Sequence, residues 1–71
     1  MKANDEMLLR LDDSADPGRA RVRLRRQGTK LFQGIAFWSV EVLEVLHPSV
    51  TREVRIGQSI LAQEPKLSPL G

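Results

Sequence analysis

Apolar side chains recur at every second position through separate stretches of this chain, the period of strands with one buried face. Met7, Leu9 and Leu11 alternate with Leu8, Arg10 and Asp12, which predicts a first strand behind a polar, loose N-terminus. Ala20, Val22 and Leu24 alternate with Arg19, Arg21, Arg23 and Arg25. That predicts a second strand with an apolar inner face and a row of guanidinium groups outside, whereas a helix would scatter the arginines around its circumference. Residues 12–18, read D-D-S-A-D-P-G, gather residues that bond their own backbone with a Pro and a Gly, so the two strands form a hairpin with a long loop.

A polar turn over Gln27, Gly28, Thr29 and Lys30 leads into a predicted third strand over 31–42. Phe32, Gly34, Ala36, Trp38, Val40 and Val42 share one parity; the other is apolar in its first half and polar in its second, as in a strand covered on both faces at one end. Ile35, Trp38, Val42, Val45 and Leu46 also stand at helical spacings, but the β-branched and aromatic run F-W-S-V-E-V-L-E-V favours a strand with a bulge at Leu43-Glu44. His47, Pro48 and Ser49 end it, because Pro has no N–H for a ladder. Val50, Val54 and Ile56 predict a fourth strand, and Gly57-Gln58 separates it from residues 59–62, a closing strand or one helical turn. Residues 63–71 carry two prolines and no period, so the expectation is a single domain over 1–62 with a flexible tail over 63–71.

The pattern predicts a mainly β fold, a small antiparallel barrel or curved sheet of four to five strands with room for one short helix. Its expected core is Met7, Leu9, Leu11, Val22, Leu24, Phe32, Ile35, Trp38, Val40, Val42, Val45, Val54, Ile56 and Ile60. A chain of 71 residues without cysteine has a small core and no disulfide to reinforce it, which makes self-association an expectation too. With no apolar run near the roughly 20 residues of a membrane span and no signal-peptide pattern, the expectation is a soluble cytoplasmic protein.

Charge sharpens this picture. Residues 19–30 hold six of the eleven basic side chains and no acidic one, whereas residues 1–18 hold two basic and five acidic. Eight of the eleven are Arg, which suits planar contacts to phosphate or carboxylate. Candidate catalytic chemistry is thin. Without Cys or Tyr, nucleophilic schemes would rest on His47, the one histidine, which precedes Pro48 in a predicted turn. Asp12-x-Ser14-x-Asp16 has the alternation of a calcium loop but lacks the Gly and Glu that complete one. Asp12 and Asp13 are expected on an exposed turn. Neither an enzyme, a metal site nor a cofactor is expected.

The arginine row is the best candidate site. Arg19, Arg21, Arg23, Arg25, Arg26 and Lys30, set beside Phe32, Phe37 and Trp38, form the combination by which small β domains hold single-stranded DNA or RNA. The favoured function is a non-enzymatic protein presenting these residues to nucleic-acid phosphates. The alternative is a small protein interaction module or inhibitor, of the antitoxin or phage-encoded kind, using the same face on an acidic partner or an exposed β-edge. A charged row can also be no more than the solvated face of a strand.

Overall fold

The structure is a computed structural model and describes residues 1–70. The alternating stretches become strands β1 (Glu6–Arg10), β2 (Arg19–Gln27), β3 (Phe37–His47) and β4 (Ser59–Gln63). A single 3₁₀ turn, Glu64–Lys66, then leads to a two-residue strand β5 (Leu67–Ser68). All pairings are antiparallel, and the one sheet has the order β4-β3-β2-β1-β5. β4 and β5 thus lie on opposite edges while only three residues separate them. Four strand spacings in a flat sheet would measure about 19 Å, and the four steps from Gln63 to Leu67 reach at most about 14 Å. The sheet must therefore curl. It stops short of closing into a barrel, since β4 and β5 do not pair.

The concave face carries the core. Leu9, Ala20, Val22, Leu24, Trp38, Val40, Val42, Ala62 and Leu67 are buried there, with Met7, Val45, Val54 and Ile60 packed around them. Three register shifts between β2 and β3 assist the curl. Arg21 faces Glu44 while Val22 faces Val42, which leaves Leu43 as an extra residue, where the sequence predicts a bulge. Leu46 and Arg25 are skipped in the same way. Without the shift at Leu43, Glu44 would point into the core and Val45 into solvent.

Several expectations need correction. β3 begins at Phe37 rather than residue 31. Before it, Phe32 and Ile35 exchange backbone hydrogen bonds of 3.0 and 2.9 Å around Gln33 and Gly34, whose φ values are 51° and 77°. Two central residues with positive φ make a tight hairpin turn, which Gly34 accepts without steric cost. Phe32 is therefore 65% exposed rather than a core residue. The fourth strand predicted over 50–56 does not form, because the Ser49 hydroxyl accepts the N–H groups of Thr51 and Arg52 and turns the chain there. From that segment only Val54 packs on the core, while Val50 and Ile56 are exposed. The segment expected to be a tail is held through Ser68: Glu64 N–H donates to Ala36 O at 2.9 Å, and Leu67 is buried opposite Leu9. Pro65 suits the start of the 3₁₀ turn, where an N–H would lack a partner. Gly71, the end of the predicted tail, lies outside the described residues.

Asp12 is likewise no exposed turn residue. It is buried and accepts from the Ser14 N–H and hydroxyl, from Gly18 N–H at 3.1 Å and from the Ser49 hydroxyl at 2.6 Å. These donors hold its carboxyl well below the usual carboxylate range, the Ser14 and Ser49 hydroxyls contributing most. The joint fastens the β1–β2 loop to the start of the β3–β4 connection.

Candidate polyanion-binding face

The outer face of the sheet is read from the register. Along β2 the row Arg19, Arg21, Arg23 is flanked on β1 by Arg10, Leu8 and Glu6, and on β3 by His47, Glu44 and Glu41. Arg21 donates to Glu6 at 2.6 Å and to Glu44 at 3.3 Å. Arg23 lies 3.6 Å from Glu6, and Arg25 lies 3.7 Å from Glu41. The centre of the row is therefore a cross-strand ladder of ion pairs rather than a run of free guanidinium groups. Hydrogen bonds to these carboxylates, Glu6 before Glu44, raise the Arg21 pKa further above its ordinary value.

The six predicted residues thus divide into two kinds. Arg21, Arg23 and Arg25 have acidic partners, whereas Arg19, Arg26 and Lys30 make no ion pair among the described residues. Residues 19–30 contain no acid, yet Glu6, Glu41 and Glu44 arrive from neighbouring strands at matching positions. Their outward parity on the predicted first and third strands, with the bulge at Leu43, was the available signal.

At the β2–β3 end the bulge at Arg25 brings Arg26 opposite Ser39, a small neighbour. Lys30 lies in the following loop, and Phe32 meets Phe37 edge to face with ring centroids 6.3 Å apart. Phe32 and Leu31 are exposed. Trp38 faces the core and cannot stack on a ligand. This end therefore combines cations lacking full compensation with an accessible aromatic pair.

A second surface is the free edge of β4. Val42 N–H donates to Gln58 O and Glu64 N–H to Ala36 O, so the even-numbered residues face the β3 ladder and Ser59, Leu61 and Gln63 face the open edge. The edge sequence S-I-L-A-Q has neither charge nor proline, and Leu61 is 64% exposed. Its cover is the Arg52 guanidinium, which donates to Leu61 O at 3.0 Å.

Among the described residues no three His, Cys, Asp or Glu side chains gather where a metal ion could be held, and no helix is long and apolar enough to cross a membrane. Comparison with protein-family models, with curated proteins and with solved structures finds no match to this chain.

Proposed function

We propose that this chain is a non-enzymatic binding domain for single-stranded nucleic acid, engaged at the β2–β3 end. Arg26 and Lys30 meet phosphates there, and the Phe32–Phe37 pair offers a ring on which a base can stack. The observation that supports this reading is the coincidence, at one end of the sheet, of Arg26 and Lys30, which make no ion pair among the described residues, with an aromatic pair whose Phe32 ring is exposed. Arg21, Arg23 and Arg25 serve the fold's outer surface instead, their charges answered by Glu6, Glu41 and Glu44.

Binding to a short single-stranded DNA or RNA, followed by fluorescence anisotropy, should weaken with salt on a log–log slope of about −1.4 for two phosphate contacts. No measurable binding at about 50 mM salt would overturn the proposal. The second reading, a protein interaction module, is favoured by the uncharged β4 edge with its exposed Leu61, to which an extended segment of a partner could add as a strand.

A further inference from the structure

Arg10 and Arg19 stand directly opposite each other on β1 and β2. Leu11 N–H donates to Gly18 O and Leu24 N–H to Asp5 O, each at 2.8 Å, which makes Arg10–Arg19 a non-hydrogen-bonded pair, the kind whose Cα atoms lie only about 4.5 Å apart. Like charges opposed in this way destabilise a sheet. Arg21, Arg23 and Arg25 on β2 have glutamate neighbours, but Arg19 has none. A third cation, Lys66, comes from the 3₁₀ turn with its side chain only 20% exposed. Together with the Ser68 hydroxyl these residues line a cavity of about 220 Å³, whose remaining walls are Leu8, Pro17 and Pro65.

We propose that this cavity binds a phosphate-class oxyanion. The ligand would be bracketed by Arg10 and Arg19, reached by the Lys66 ammonium and accept a bond from Ser68, so that one dianion answers three cations. The free protein already contains an oxyanion beside this cluster: the Asp13 carboxylate lies 3.4 Å from Arg10 and 3.5 Å from Lys66. That contact shows that the two cations can share a single anionic group. Asp13 is itself largely exposed and leaves Arg19 unserved, so it acts as a weak internal competitor that a better ligand displaces. His47, opposite Arg19 on β3, is engaged by Asp16 at 3.3 Å and is not among the residues lining the cavity. The site does not rest on the nucleic-acid reading, since six residues, more than about 20 Å of strand, separate Arg19 from Arg26.

The test is a titration of the full chain with inorganic phosphate, against chloride at constant pH and ionic strength, followed residue by residue in proton–nitrogen NMR spectra. Phosphate should produce saturable shifts at Arg10, Arg19, Lys66 and Ser68 that chloride does not. R19Q should weaken phosphate by about tenfold or more, as expected for losing a charge-assisted contact, and D13N should strengthen it by removing the competitor. An arm with phenyl phosphate assigns the source. Tighter binding than inorganic phosphate marks a phosphomonoester terminus packed on Leu8, Pro17 and Pro65, and weaker binding marks the free ion. Shifts no larger than those from chloride, or phosphate affinity unchanged in both R19Q and D13N, would overturn the proposal, and R26Q should leave the titration unaltered.

Discussion

Replacing Trp38 with alanine is expected to unfold the domain. The indole is 5% exposed and packs among Val40, Val42, Leu24 and Ala62 in a core that a single curled sheet must fill with few residues. Truncating a buried aromatic to alanine costs about 3–5 kcal/mol, and a domain of this size has a total stability on the order of 5 kcal/mol. Circular dichroism should accordingly lose its β signature at room temperature. W38F is the informative control. It keeps a ring in the cavity and removes an indole N–H that is buried without a hydrogen-bond partner, so part of the lost packing is offset. A cooperatively folded W38A of near-native stability would show that the ring is not a core element.

The joint between loops should respond almost as strongly to one methyl group. A Cβ added at Gly18 would lie 2.6 Å from Ser49 N, Cα and Cβ, two of which are backbone atoms with nowhere to retreat. In G18A the two loops must separate, which stretches the Ser49 hydroxyl bond to Asp12 that spans them. Overpacking of this kind costs about 1–3 kcal/mol, measurable as a lower midpoint in urea. The same joint gives a pH signature. The folded Asp12 carboxyl ionises at lower pH than the unfolded one, so its contribution to stability is complete above the ordinary aspartate value and is lost as the pH falls below about 4. Wild type should lose stability through that window more steeply than G18A. Equal stability of the two proteins at neutral pH would mean that the loops are not in contact.

The strands that were legible in the sequence are those whose alternation is written in large or β-branched residues. Met7, Leu9 and Leu11, then Val22 and Leu24, then Trp38, Val40 and Val42 fix both position and inward face, and the bulge at Leu43 follows from the parity break at Leu43-Glu44. Alternation resting on weaker residues misled. Gly34 and Ala36 carry little side chain to bury, so residues 31–36 were free to turn, and the Ser49 hydroxyl diverted the segment predicted as a fourth strand. Ala62 and Leu67 belong to the core, but small or isolated residues give no periodic signal. The site was half legible. Residues 19–30 hold six cations and no acid, but the compensation of Arg21, Arg23 and Arg25 is a property of strand neighbours: parity puts Glu6, Glu41 and Glu44 on the outer face, and the register decides which arginine each one meets.

The arginines divide into a neutralised ladder and a free end, and one comparison of salt dependence tests that division. In one variant Arg21, Arg23, Glu6 and Glu44 all become glutamine, which removes the centre of the ladder without changing the net charge, and exposed ion pairs of this kind contribute only about 0–1 kcal/mol each. In the other, Arg26 and Lys30 become glutamine. The ladder variant should keep the wild-type slope of log affinity against log salt for single-stranded DNA, whereas the second variant should lose about 1.4 units of it, two contacts at about 0.7 each. A ladder variant that loses as much slope as the Arg26 and Lys30 variant would contradict it.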